Sequence, residues 1–105
     1  MNEHVIQNKI LLAIGSLPWL RVWRNNTGAL LDRNGKLVKF GLQGSADIIG
    51  MMKPSGRFLA IEVKTPNGIQ TASQKRFQRM VEEMGGLYIL ARSPEDVFKA
   101  LDIKN

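Results

Sequence analysis

Apolar residues recur along the chain with two different periods, and the switches between them mark its elements. From about residue 2 to residue 15, Ile6, Ile10, Ala13 and Ile14 return at helical spacing, and Gly15 and Pro18 end the run. Residues 20–24 (LRVWR) alternate instead: Leu20, Val22 and Arg24 fall on one face and Arg21 and Trp23 on the other, which predicts a strand. Residues 25–44 hold no clear period. Their Asp32-Arg33-Asn34-Gly35 contains an Asn-Gly step that favours a tight turn, so a β-hairpin or irregular excursion is expected, with a short strand at 37–40. Residues 46–51 (ADIIGM) read as a short buried strand, Lys53-Pro54-Ser55-Gly56 as a turn, and residues 58–64 (FLAIEVK) as the clearest strand of the chain. A loop with Pro66 and Gly68 follows. The helical period returns over 71–84, where Phe77, Met80, Val81 and Met84 form an apolar stripe closed by Gly85-Gly86. Residues 87–90 (LYIL) are a further buried strand. Ser93 as N-cap, Pro94 at the first helical position and the acids Glu95 and Asp96 then open a last helix through Val97, Phe98 and Leu101.

This order predicts an α/β domain over residues 1–105, with no repeat and no linker. The strand–helix–strand unit from 58 to 90 predicts a right-handed crossover between parallel strands. The middle strands follow one another without helices, so the central sheet is expected to be mixed and flanked by helices.

Composition narrows the function. A chain of 105 residues supports one core. It has no cysteine, which excludes disulfides, thiolate zinc sites and cysteine nucleophiles. No apolar run approaches the roughly 18 residues of a membrane span. The short apolar stretch at 10–14 follows Glu3, His4 and Gln7 rather than the cationic run of a signal peptide. A soluble cytoplasmic protein is therefore expected. The 15 Lys+Arg against 9 Asp+Glu give a formal charge of +6. That excess favours a polyanionic partner, nucleic acid first, although a basic surface also serves solubility.

Alternation along FLAIEVK sends Leu59, Ile61 and Val63 to one face and Phe58, Ala60, Glu62 and Lys64 to the other. Two charges at the C-terminal end of a central strand break its apolar pattern, and such breaks concentrate at functional sites. A strand that is merely leaving the core would look the same. Asp47 changes the balance. It opens the neighbouring apolar run after the Gly44-Ser45-Ala46 bend, and the short turn between the two strands predicts that they pair. Asp47 and Glu62 then converge. Two convergent carboxylates repel, and a Mg²⁺ ion, which prefers hard oxygen ligands, relieves the repulsion. The alternative for Asp47 is hydrogen bonding to backbone at a strand start. A cation held by the pair would acidify water and offset charge growing on a phosphodiester. Lys64 would orient or deprotonate the attacking water, or hold a phosphate oxygen. His4 is the only histidine, and no nucleophilic triad can be read.

Other residues carry two readings each. Glu3 shares the inward face of Ile6 and Ile10, close enough to reach a metal, yet an acid also suits a helix start. Gln74 faces the sheet one turn before Phe77, but Thr71-x-x-Gln74 is also a capping box. Lys75, Arg76 and Arg79 on one helix, together with Arg21, Arg24, Lys36 and Lys39, are either phosphate contacts or a solvated surface. Trp19 and Trp23 read as core or interface residues rather than stacking platforms.

Taken together, Gly44-Ser45-Ala46-Asp47, Ile61-Glu62-Val63-Lys64, Ser73-Gln74 and the closing Gly85-Gly86 resemble the PD-(D/E)xK nuclease superfamily. Within it the chain is most similar to the VRR-Nuc domain in the short stand-alone form of phages and bacteria. The resemblance runs from Glu3 to about Ser93. It implies a restriction-endonuclease-like αβββαβ core and dependence on Mg²⁺ or Mn²⁺. It implies metal binding by Asp47 and Glu62, assisted by the Val63 carbonyl and Glu3. Lys64 would be the catalytic lysine, with supporting roles for Glu3 and Gln74. It further implies a homodimer that cuts branched DNA, as Holliday-junction resolvases do, in a bacterial or phage-infected cytoplasm. Ala46 stands where relatives often carry Pro, and alanine suits a strand start. Residues 25–44 would be a substrate or dimer element. The alternative is a non-catalytic nucleic-acid-binding module on the same fold; the intact Asp47, Glu62 and Lys64 speak against it, since a pure binder needs no such trio.

Overall fold

A computed structural model describes residues 2–103. Helix α1 (Glu3–Ile14) starts where the Asn2 side chain accepts the Val5 N–H at 2.8 Å, a cap that satisfies an otherwise orphaned donor. Ile6, Ile10 and Ile14, four residues apart, form its buried stripe. Ala13, expected on the same face, is exposed.

Strands β1 (Leu20–Arg24), β4 (Ile48–Met52), β5 (Arg57–Val63) and β6 (Leu87–Ala91) make one sheet in the order β1-β4-β5-β6. The first two pairings are antiparallel and β5 with β6 is parallel, so the sheet is mixed as expected. The remaining strands, β2 (Gly28–Leu31) and β3 (Leu37–Phe40), pair only with each other. Their turn is the expected one. The Asp32 carboxylate accepts the N–H groups of Asn34 and Lys36, both at 2.9 Å, and Gly35 takes φ 77°, a left-handed conformation that glycine adopts at little cost.

From Leu59 onward every side chain of β5 is buried, because helices cover both faces there. Leu59, Ile61 and Val63 pack with the α1 isoleucines and with Val97 of α3 (Pro94–Ala100). Ala60 faces the other way, against Phe77 and Val81 of α2 (Ala72–Glu83) and Tyr88 of β6. The alternation read from FLAIEVK thus separates two cores. The α2 stripe departs from expectation, since only Phe77 and Val81 are buried while Met80 and Met84 are 44% and 83% exposed. The cause is strand order. Helix α2 packs over Ala60 and Tyr88, on the β5–β6 half, and leaves the same face of β4 and β1 uncovered, with Trp23 and Met51 also exposed. No helix among the described residues is long and apolar enough to cross a membrane.

Ile61 is completely buried between the central strands and α1, whereas Leu12 is 84% exposed. Ile61→Ala is expected to lower the unfolding free energy by about 2–5 kcal/mol. Leu12→Ala should stay within about 0.5 kcal/mol of the parent. Urea denaturation followed by circular dichroism separates the two.

Candidate active site

The β4–β5 register decides where the chemistry sits. Ile48 pairs with Ile61 and Ile49 with Ala60, so one step beyond the start of β4 Asp47 lies opposite Glu62, on the α2 face of the sheet. Asp47 combines both readings available from its sequence position. Its Oδ2 accepts the Val63 N–H at 2.8 Å, and the same side chain lies beside the Glu62 carboxyl. Glu62 is only 2% exposed, and its Oε1 is buried with no hydrogen-bond partner among the described residues. Burial, the contact with Asp47 and the charge of Asp47 push its pKa up from 4.5 to about 9; the Lys64 ammonium opposes the rise and Glu3 adds slightly to it. A buried, proton-holding carboxyl with an orphaned oxygen, set against a second carboxyl, fits a divalent cation that would take the proton's place.

Lys64 follows β5 directly, and its N–H donates to the Ala91 carbonyl at 2.9 Å, extending the parallel ladder by one residue. Its side chain is 9% exposed and lies close enough for its charge to act on Glu62. The bend before Asp47 is held from two sides. Gly44, at φ 83°, approaches the first turn of α2 so closely that a Cβ there would sit 2.5 Å from the Ser73 carbonyl oxygen. On the other side, the Asn25 amide donates to Ser45 Oγ at 2.8 Å and to the Ala46 carbonyl at 2.9 Å, while its N–H donates to the Asp47 carbonyl at 2.8 Å.

The remaining candidates divide. Glu3, in the first turn of α1, acts on Glu62 by charge but does not complete a metal cluster: among the described residues no three His, Cys, Asp or Glu side chains gather closely enough to hold an ion. Gln74 forms the capping box, its Oε1 accepting the Thr71 N–H at 2.8 Å, so its amide oxygen is engaged at the helix start. Val63 is buried between Glu62 and Lys64. Lys75, Arg76 and Arg79 are exposed on α2, and Lys36 and Lys39 on the hairpin. Arg76 lines a hollow of about 170 Å³ with Leu42, Gln43 and Ser73, and Lys39 lines one of about 300 Å³ that also reaches Gly44. Arg24 differs from these surface cations. It is half-buried on the α1 side, donates to Asn8, and keeps its Nε buried without a hydrogen-bond partner among the described residues, so it ties β1 to α1.

Two further residues carry no signal in sequence. Asn25 was part of an unreadable stretch, and its role depends on contacts twenty residues away. Arg92 binds the loop after Lys64. Tyr88 also borders the site. Its hydroxyl accepts from Gln70 at 3.1 Å, and burial, reinforced by the nearby acids, pushes its pKa to about 12. A hollow of about 600 Å³ lies elsewhere, between Phe58, Met80 and Met84. A site for a polymer needs an open sheet end more than an enclosed cavity.

The molecule is thus a mixed-sheet α/β domain flanked by helices, with two carboxyl groups meeting at the end of strand β5. The VRR-NUC domain family model matches residues 21–95. The chain belongs to that family. A solved structure of a "VRR_NUC domain protein" superposes with a TM-score of 0.68 over 97% of this chain and 86% of that one, at 17% identity. No curated protein matches.

The Glu62 shift has a consequence for stability. Glu62 in the folded, metal-free chain holds its proton up to about pH 9, while the unfolded chain releases it near 4.5. The folded state therefore binds more protons between these limits, and its stability falls as pH rises through the window. Glu62→Gln keeps the shape and removes the titration, so it should flatten that fall. Urea unfolding in EDTA, compared at about pH 5 and about pH 9, checks the slope.

Proposed function

We propose that this protein is a Mg²⁺- or Mn²⁺-dependent DNA endonuclease, selective for branched DNA, that works as a homodimer in the cytoplasm. The observation that carries the reading is Asp47 set opposite a buried Glu62 whose Oε1 lacks a partner, with Lys64 beside them. Asp47 and Glu62 would hold the cation, which when bound supplies Lewis acidity to water and phosphate. Asp47 is already oriented by the Val63 N–H. Lys64, short of solvent and next to Glu62, orients or deprotonates the attacking water, or neutralises a phosphate oxygen. Lys75, Arg76 and Arg79 on α2, with Lys36 and Lys39 on the hairpin, carry the strand to this sheet end by phosphate contacts, which makes binding salt-dependent. A purely binding module leaves the buried, orphaned carboxyl without a purpose.

A test is a cleavage panel of linear, flapped, nicked and four-way DNA with Mg²⁺ or Mn²⁺. Asp47→Ala and Lys64→Ala should each lower the cleavage rate by about 10²–10⁴, and EDTA should stop the parent. Cleavage by these variants at the parental rate in EDTA ends the proposal.

The second copy would seat on the sheet face that α2 leaves bare. Trp23, Met51 and Phe58 are exposed there, and Met80 and Met84 border them. Together they offer an apolar patch on the order of 500 Å², at the upper end for a monomer surface. Arg21 lies on the β1 side of this patch, and Glu83, one helical turn beyond Met80, on the α2 side, both exposed. A two-fold axis through the patch would set Arg21 of each copy against Glu83 of the other. Light scattering should give twice the chain mass for the parent and a monomer for Phe58→Ser. Arg21→Glu should weaken the dimer and added Glu83→Arg restore it. A dimer untouched by all three places the interface elsewhere.

A further inference from the structure

We propose that Arg92 is a positioning residue for Lys64, acting through the loop at residues 65–68. The inference rests on the catalytic reading of Lys64. Arg92 leaves β6 directly after Ala91, the residue that pairs with Val63 and whose carbonyl accepts the Lys64 N–H at 2.9 Å, so the two side chains start side by side, one step beyond the last paired rung of the parallel ladder. Its Nη1 donates to the carbonyls of Thr65 at 2.6 Å, Gly68 at 2.7 Å and Pro66 at 3.3 Å. Three carbonyls of one loop therefore turn inward onto a single cationic nitrogen. The Gly68 N–H closes the same turn on the Thr65 carbonyl at 3.0 Å. Arg92 itself is held at its backbone, where its N–H donates to Asp96 Oδ2 at 2.8 Å in the first turn of α3.

The folded loop reaches Lys64. A Cβ built on Gly68 would stand 3.4 Å from Lys64 Cδ, so the Gly68 backbone forms a wall along the aliphatic stem. Lysine has a flexible four-carbon stem, and its ammonium stays near Glu62 only if that stem is confined. The loop has little else to hold it: Pro66, Asn67 and Ile69 are exposed. Hydrogen bonds from Arg92, rather than apolar packing, fix its shape. Misplacing a catalytic group by about 1 Å can cost about 10²-fold in rate.

The test compares Arg92→Met, Arg92→Lys and Gly68→Val. All three loop bonds run to one nitrogen, so a lysine ammonium, with three donors, can replace it. Gly68→Val leaves residue 92 unchanged and puts a Cβ 3.4 Å from Lys64 Cδ, beside Thr65 Oγ1 at 3.3 Å. Two readouts are needed. Reductive ¹³C-methylation of the metal-free protein gives each lysine an NMR signal, with that of Lys64 assigned by its loss in Lys64→Arg. Cleavage kinetics give kcat and KM separately. Arg92→Met and Gly68→Val should shift the Lys64 signal towards those of exposed lysines and lower kcat by about 10- to 100-fold with KM and melting temperature little changed. Arg92→Lys, assayed without methylation, should restore kcat. An unmoved Lys64 signal in Arg92→Met overturns the proposal, and so does a loss of melting temperature that Arg92→Lys fails to rescue. The NMR arm decides the matter even if the parent cleaves no DNA, so failure of the nuclease reading and failure of this one are distinct results.

Discussion

Two carboxyl groups face each other because Ile48 pairs with Ile61, and most of the molecule serves that register. In an antiparallel pair, a slip of one residue turns every side chain to the other face. Asp47 would then point towards the α1 isoleucines, and Glu62 would keep its place alone. The hydrophobic pattern forbids the slip, because Ile48, Leu59 and Ile61 are all needed in the larger core. The same residues that stabilise the sheet therefore fix the spacing of the acids. The cost is an acid buried at 2% exposure, retained where apolar packing alone would favour a neutral side chain.

Around that pair, backbone contacts set the geometry more than side-chain packing does. The bend before Asp47 lies between the Ser73 carbonyl on α2 and the Asn25 amide at the end of β1. The loop after Lys64 is gathered by Arg92 from the end of β6. Each of the four strands that reach this end of the sheet thus contributes a residue, an anchor or both. The α2 capping box places the helix start at the same end, so Lys75 and Arg76 emerge beside the site.

The sequence was most readable where one local rule sufficed. The alternation of FLAIEVK, the Thr71–Gln74 box and the Ser93-Pro94 helix start are local patterns, and the structure has each of them. Convergence of Asp47 and Glu62 was readable because a short turn joins their strands, leaving few ways to pair them. What escaped depends on distant partners. Exposure of Met80 and Met84 follows from strand order, which no helical period encodes. Arg24 looks like any surface cation until α1 brings Asn8 against it. Asn25 and Arg92 act by donating to carbonyls of remote loops, and such bonds leave no spacing in the chain. Glu3 acts on Glu62 by charge alone, and its distance from the acid pair depends on how α1 packs, which its own helical period does not encode.

The β2–β3 ribbon leaves the sheet after Arg24 and returns before Ile48, two residues that pair directly with one another. Its exit and its re-entry are therefore neighbours, and the ladder on which the acids depend closes beneath it without its help. Such a doorway accepts segments of different length or kind with no change to the pairing below. Evolution is free to rewrite the ribbon at this doorway while the strand ladder underneath stays as it is.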